Sequence, residues 1–298
     1  MQVTIKIPGK TFISGEYAVL STGQAIVWTT TPYFSLNCRP CLSGEIGVNP
    51  FHPESPAGKL WLREPLFKNY WIEFQDPIRK GGFGGSTAEY LSLLQFQTDL
   101  HAQHLPMGAE LIKQYHVDAY SGVGHAPSGV DLWAQAHGGL AFYDKSTSEV
   151  IDLPWQDSGV EALFVHTGHK LSTHEHLKAE LKIPVVELQA CLFAVKKAFE
   201  AGDLAELAAA LNLNAKILAE AGLTCENSQQ LKNKILAEDG VLAVKPCGAM
   251  GSDVIFVLVD KNAASSLLEK LKCDKNLSVF ATSQNTAQGL HKEYSAVK

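Results

Sequence analysis

The stretch that most constrains this chain is Lys80-Gly81-Gly82-Phe83-Gly84-Gly85-Ser86-Thr87, which continues unbroken into Ala88-Glu89-Tyr90-Leu91-Ser92-Leu93-Leu94. Glycine loses the most backbone entropy on ordering, so four glycines within six residues exclude a helix or a good strand there. The following run, to about Leu100, contains no breaker and is apolar almost all round. It predicts a buried helix with Ser86 or Thr87 near its N-terminus. A glycine loop feeding such a helix presents bare amide N–H groups and the positive end of a helix dipole, a site for an anion and most often for phosphate. No Gly-Lys-Ser/Thr closes it as a Walker A loop, and it is not a clean dinucleotide fingerprint. Alone it reads as a flexible turn before a core helix; its meaning depends on the rest of the chain.

The rest of the chain is that of an ordinary globular protein. Its 298 residues are 46% hydrophobic and 19% charged, enough for one large or two ordinary domains. A net charge of −6 argues against a broad nucleic-acid-binding face. The opening Met1-Gln-Val-Thr-Ile-Lys-Ile alternates like a strand rather than a leader, and the apolar run Val254–Val259 is too short to span a bilayer. These features predict a cytoplasmic protein with no membrane or nucleic-acid partner. The cysteines are scattered, and only Cys38-Arg-Pro-Cys41 has a C-x-x-C spacing. A second ligand pair for zinc is missing, and Pro40 with the following Leu-Ser-Gly-Glu predicts a turn between strands, so the pair reads as incidental.

The first forty residues look β-rich. Val3–Ile7 alternates, Pro8-Gly9 turns, Tyr17–Leu20 is a short apolar run, Ser21–Gln24 turns again, and Ala25–Leu36 reads as a long strand. Residues 40–58 read as loop, with strands expected at Lys59–Leu62 and Tyr70–Phe74. After the central helix, Pro106 opens a second helix to about Tyr115. A loop, Ser121–Pro127, leads to a helix over Ser128–His137, which Gly138-Gly139 ends before a strand at Leu140–Tyr143. The character changes near Leu153-Pro154-Trp155, which divides the chain into residues 1–155 and 156–298. The second part reads as a strand (Ala162–Val165), two helices with apolar faces (Val185, Leu188, Leu192, Val195, Phe199; then Leu204, Leu207, Leu211, Leu218), and a strand–helix–strand tail over Ser252–Ala281. The expected class is α+β, a two-domain α/β sandwich.

Three further segments accompany the glycine loop: Pro8-Gly9-Lys10 with Gly15-Glu16-Tyr17, His125-Ala-Pro-Ser128-Gly129-Val-Asp131, and Lys245-Pro246-Cys-Gly248-Ala249-Met-Gly251-Ser-Asp253. Asp131 falls in the first turn of a helix opened by Pro127. There it either complements the dipole or orients a hydroxyl and accepts its proton. Phosphoryl transfer needs in-line positioning, neutralised oxygens and an oriented nucleophile. An aspartate, a lysine and a glycine-cradled triphosphate supply that set.

The four segments, in this order from Pro8 to about Leu258, resemble the GHMP kinases, the superfamily of galactokinase, homoserine kinase and the mevalonate-pathway kinases. The resemblance implies a ribosomal-S5-like N-terminal domain and a ferredoxin-like C-terminal domain, with ATP and Mg2+ as cofactors. By the same resemblance, Gly82, Gly84, Gly85, Ser86 and Thr87 take the phosphate-loop positions, with Gly248, Ala249 and Gly251 folding against the nucleotide. Ser86 matches the magnesium contact, Asp131 the catalytic base, and Lys10 the lysine close to it. Glu16, Tyr17, Ser128, Lys170 and Thr173 are expected at the acceptor end. Gly85 stands where the family has serine, Phe83 where it has leucine, and Met250 and Ser252 where it has glycines. The acidic magnesium ligand of some members has no obvious counterpart beyond Glu89.

Pro127-Ser-Gly-Val-Asp131 is similar to the mevalonate branch. Gly15-Glu16-Tyr17 and Lys245-Pro-x-Gly-Ala-x-Gly-x-Asp253 are more similar to phosphomevalonate kinases than to mevalonate kinases, while the chain is compact for the former. The resemblance thus implies a kinase acting on phosphomevalonate or mevalonate, as monomer or homodimer. A sugar or homoserine acceptor, a nucleotide-binding homologue with weakened catalysis, a decarboxylase of the same fold and a redox protein built on Cys38 and Cys41 stand as alternatives. A phosphorylated acceptor calls for cations, for which Lys10, Lys80 and Lys170 are candidates. The histidines at 166, 169, 174 and 176 invite a metal reading. Yet His174 and His176 point apart on a helix, and Thr173 as N-cap makes the segment a strand-to-helix loop; the resemblance implies that this loop reaches the acceptor substrate.

Overall fold

The computed structural model of the chain describes residues 2–78, 82–156, 159–168, 182–274 and 276–296. Among these, the strands form two antiparallel sheets. The first pairs β10 (His291–Ser295), β1 (Gln2–Ser14), β2 (Gln24–Pro40), β4 (Leu140–Asp144) and β5 (Glu149–Asp152) in that order, with β3 (Tyr70–Gln75) also on β2. The second runs β7 (Val241–Cys247), β8 (Val254–Asp260), β6 (Val160–His166) and β9 (Ser278–Thr282). The change near residue 155 falls between the two sheets, but the last strand returns to pair with β1, Gln2 opposite Ser295.

The central helix is as the sequence demands. α3 (Gly85–Leu100) buries ten of its residues, from Thr87 to Thr98, against β1, β2, α2 (Pro56–Arg63) and α5 (Val130–His137). A helix apolar all round has to lie inside the protein, and this one does. α4 (Gly108–Ala119) packs on α5 through Leu111, Ile112 and Tyr115. A second core joins the two sheets: Trp28 of β2 meets Phe164 of β6 edge-on at 5.4 Å. Leu192, Val195 and Phe199 of α6 (Val185–Ala201) and Leu207 and Leu211 of α7 (Leu204–Glu220) close over it. α8 (Glu226–Leu236) and α9 (Lys261–Cys273) cover the other face of the second sheet.

Several local expectations are corrected. The turn expected at Pro8-Gly9 is absent, and β1 runs through it: between Ile7 and Gly9 the partner on β2 moves from Phe34 to Thr30, so the extra residues lie on β2 and Pro8, with no N–H for the ladder, sits opposite them. Tyr17–Leu20 leads into a one-turn helix, α1 (Val19–Thr22), closed by Gly23 in the left-handed region. The strand expected at Lys59–Leu62 is helical. Ser55 caps α2 by accepting from the Gly58 N–H at 3.1 Å, and Pro56 takes the first helical position. The second helix begins at Gly108 rather than at Pro106. No helix among the described residues is long and apolar enough to cross a membrane.

Candidate active site

Two helix N-termini define the site, and both begin from glycine. α3 starts at Gly84 (φ 94°) and α5 at Gly129 (φ 72°), so neither N-cap residue has a side chain to cap its own helix, although the Ser128 hydroxyl takes the Val130 N–H at the start of α5. α3 in particular keeps first-turn amides for an outside anion. Asp131 lies in the first turn of α5, and its Oδ2 is 3.9 Å from the Nζ of Lys10 on β1. The pair is mostly but not fully covered, 14% and 24% exposed for the lysine and aspartate side chains. A carboxylate so held stays accessible to a small acceptor while a cation stands beside it.

The loop that carries Gly84 is fixed from below. The Lys10 N–H donates to the Phe83 carbonyl at 3.0 Å. The Phe83 ring lies over Gly9, where a Cβ would fall 1.6 Å from it, and packs edge-on against Phe280 at 4.3 Å. Gln135 of α5, which sequence reasoning missed, is the central tie. Its Nε2 donates to the Pro8 carbonyl at 2.8 Å and the Gly84 carbonyl at 3.2 Å, and its Oε1 accepts from the Thr87 hydroxyl at 2.6 Å. One fully buried amide thus joins the glycine loop, β1 at Pro8 and the aspartate-bearing helix. A glutamine on the buried face of a predicted helix was the only sequence signal for it.

This arrangement gives the loop residues different jobs. A Cβ on Gly84 would fall 2.9 Å from both Gln135 Nε2 and Lys10 Cγ, so this glycine is required by the packing beneath the loop. Gly85 has room, since a Cβ there would meet only the Phe34 ring at 3.6 Å. Thr87 is buried and its hydroxyl is turned inward, leaving its amide to the site. Ser86 is exposed at the helix start. Its hydroxyl faces solvent, whereas that of Thr87 is engaged inward. The uncapped amides, the exposed Ser86 hydroxyl and the Lys10 ammonium form a donor set that fits a phosphate chain with its magnesium ion.

The last segment arrives from the second sheet. Lys245 of β7 is fully buried and ion-paired with Glu16, which is also buried. Burial alone would push this ammonium down, yet Cys247 and Glu16 beside it carry it above the ordinary lysine value. Burial pushes the Cys247 thiol up to about 11. The Tyr17 hydroxyl accepts from the Met250 N–H at 2.7 Å, and the Cys225 N–H donates to the Met250 carbonyl at 2.8 Å. Glu16 and Tyr17, expected at the acceptor end, are thus engaged with the 245–251 segment. Met250 itself sits in the left-handed region, φ 53° and ψ 22°, at one of the positions where a glycine was expected. Gly248 (φ 88°) and Gly251 (φ 60°) flank it, with the backbone of Ala249 between.

Ser128 precedes α5 and accepts from the Val130 N–H at 3.4 Å. Lys80, Lys170 and Thr173 lie outside the described residues, as do three of the four clustered histidines. The fourth, His166, is buried and its Nδ1 accepts from the Gly168 N–H at 2.9 Å. Among the described residues no group of three His, Cys, Asp or Glu side chains is placed to hold a metal ion. Cys38 is buried in β2 and Cys41 half-buried beyond it, both as free thiols. A cavity of about 350 Å³ lies apart from the Lys10–Asp131 pair, between α8 and the approach to β9.

With this geometry in hand, comparison with known proteins places the fold. Residues 195–276 match the family model described as GHMP kinases C terminal. No curated protein sequence matches the chain. Among solved structures, the phosphomevalonate kinase of Streptococcus pneumoniae is similar at TM-score 0.76 and 16% identity, over 95% of this chain and 99% of that one. That enzyme is also known in complex with phosphomevalonate and AMPPNP. The mevalonate kinase of Methanococcus jannaschii gives 0.73 and 14%, over 96% and 98%. The galactokinase of Lactococcus lactis, complexed with galactose, gives 0.76 and 14%, over 97% and 95%. The chain has the GHMP kinase fold and carries a GHMP kinase C-terminal domain.

Proposed function

We propose that this GHMP-fold chain is an ATP-dependent phosphotransferase acting on a small mevalonate-derived acid, phosphomevalonate or mevalonate. The observation that carries the reading is Asp131 held 3.9 Å from Lys10, beside the uncapped N-terminus of α3. When bound, ATP with magnesium supplies the γ-phosphoryl group with part of its charge already neutralised. The first-turn amides of α3 and the Ser86 hydroxyl would hold its phosphates and metal.

Asp131 accepts the proton of the attacking acceptor oxygen at Oδ2 and orients that oxygen while it does so. Lys10, 3.9 Å from that carboxylate, stands ready to balance charge that builds on the transferring group. Gln135 keeps the two helix starts in register, because a shift of α5 against the loop breaks its bonds to Pro8, Gly84 and Thr87. These residues perform the positioning on which in-line transfer depends.

The fold does not choose the acceptor, since a phosphomevalonate kinase and a galactokinase match it with the same TM-score of 0.76. The choice rests on Gly15-Glu16-Tyr17 and on the spacing from Lys245 to Asp253. One observation favours a second reading, a nucleotide-binding homologue with weak turnover: Met250 holds a left-handed backbone in the phosphate-side turn. A coupled ADP-release assay across mevalonate, phosphomevalonate, galactose and homoserine separates them. ADP release that depends on a mevalonate-derived acid supports the proposal. Release with galactose or homoserine alone refutes the acceptor, and nucleotide binding without release under any acceptor supports the second reading.

A further inference from the structure

Gly82 and Gly248 were expected to face the nucleotide, but the space that each leaves is taken by one side chain. A Cβ on Gly82 would fall 2.5 Å from Asp253 Cβ and 2.7 Å from its Cγ. A Cβ on Gly248 would fall 3.0 Å from Asp253 Oδ2. Both glycines have positive φ, 81° and 88°, so each turn is bent as well as bare where it meets the aspartate. The two phosphate-side turns, 166 residues apart in sequence, close on a carboxylate.

The aspartate is held rather than loose. Ser252 Oγ donates to its Oδ1 at 3.4 Å, and its carbonyl accepts from the Thr167 N–H at 3.2 Å. It is half-buried, so one side still meets solvent. Magnesium is a hard cation that keeps several waters and is bound through one or two carboxylates together with substrate phosphates. A carboxylate fixed against Gly82, two residues before the N-cap of α3, is placed to meet that requirement. Asp131, by contrast, is placed against Lys10 at the acceptor end.

We propose that Asp253 supplies the carboxylate ligand of the divalent cation that accompanies the nucleotide, with Gly82 and Gly248 kept free of side chains to admit it. This rests on the kinase reading above. Manganese serves as the probe: its free spin-resonance signal is titrated with protein and AMPPNP, and AMPPNP alone is titrated calorimetrically in EDTA. Asp253→Asn should weaken manganese in the ternary complex by at least the roughly 10–100-fold that loss of an outer-shell partner costs, while AMPPNP in EDTA binds as well as to wild type or better. Equal loss of AMPPNP with and without manganese would overturn the proposal, because the carboxylate would then only prop the turns. Loss of manganese in Glu89→Gln but not in Asp253→Asn would overturn it too. If Asp253→Asn melts early, the smaller Asp253→Ser carries the same comparison. Wild-type protein that binds no AMPPNP sinks both this proposal and the kinase reading. Wild type that binds it with metal, with Asp253→Asn unchanged, sinks this one alone.

Discussion

The buried pair of Lys245 and Glu16 offers a perturbation whose size follows from the structure. The lysine side chain is 0% exposed and the glutamate 7%, and Glu16 Oε2 has no hydrogen-bond partner among the described residues. Lys245→Met removes the ammonium and strands the carboxylate in the space between β1 and β7. Breaking a buried pair from one side costs about 3–5 kcal/mol, because the remaining charge is uncompensated. For a chain of this size that lowers the melting temperature on the order of 10 °C. Replacing both residues, Glu16→Leu with Lys245→Met, should recover most of the loss, since apolar substitutes of similar volume are often neutral or better. Calorimetric melts of wild type, both single variants and the double variant make the test. Additive losses in the double variant would refute the reasoning.

Other substitutions probe the site from different sides. Gly84→Val should lower the melting temperature and nucleotide affinity together, because its side chain collides with Gln135 and Lys10. Gly85→Ser, which meets only ordinary contact with Phe34, should leave the melting temperature within a degree or two and tighten AMPPNP by at most the worth of one charge-assisted hydrogen bond, about 1.5–3 kcal/mol. Gln135→Leu takes the Gln135 donor from the buried Pro8 carbonyl, while the Thr87 hydroxyl still donates to the Gly84 carbonyl at 3.0 Å and that carbonyl still accepts from the Ala88 N–H at 2.9 Å. Urea denaturation should therefore show a loss of about 1–3 kcal/mol, the cost of one buried group left without its partner. Burial would raise the Glu64 carboxyl, but hydrogen bonds from Gln97, His101 and the Leu66 N–H hold it below the ordinary value. Its contribution is therefore present above about pH 4.3 and lost as pH falls below that. Glu64→Gln should cost about 1–2 kcal/mol at pH 7, and the gap to wild type should close on acidification.

The parts of this fold that were legible are those that local chemistry decides. The glycine run had to be a loop, the breaker-free stretch after it had to be a buried helix, and α6 and α7 announced themselves by one apolar face each. The misread pieces were short. Four apolar-rich residues at 59–62 suit a strand or a helix equally, and the Ser55-Pro56 start signal that decides for α2 lay just upstream. β7 escaped because Lys245 and Pro246 look like loop residues until Glu16, 229 positions away, neutralises the lysine. The candidate site shows the same division. Lys10, Ser86 and Asp131 carry recognisable chemistry at motif spacing. Gln135 does not, and Asp253, though it closes the last motif, gave no sign of its fit against Gly82, because each fills space that a distant glycine leaves. No local pattern encodes such a fit.

The central claim is that Asp131, set beside Lys10, takes a proton from the acceptor during phosphoryl transfer. The direct measurement is the single-turnover rate of Asp131→Asn beside its AMPPNP affinity, with the mevalonate-derived acid that supports release of ADP by wild type. Asparagine keeps the shape of the first turn of α5 and removes the base. The account predicts a fall of roughly 10²–10⁴ in the rate of transfer, with AMPPNP binding within about twofold of wild type. An unchanged rate, or a loss of nucleotide binding that accounts for the whole effect, would contradict it.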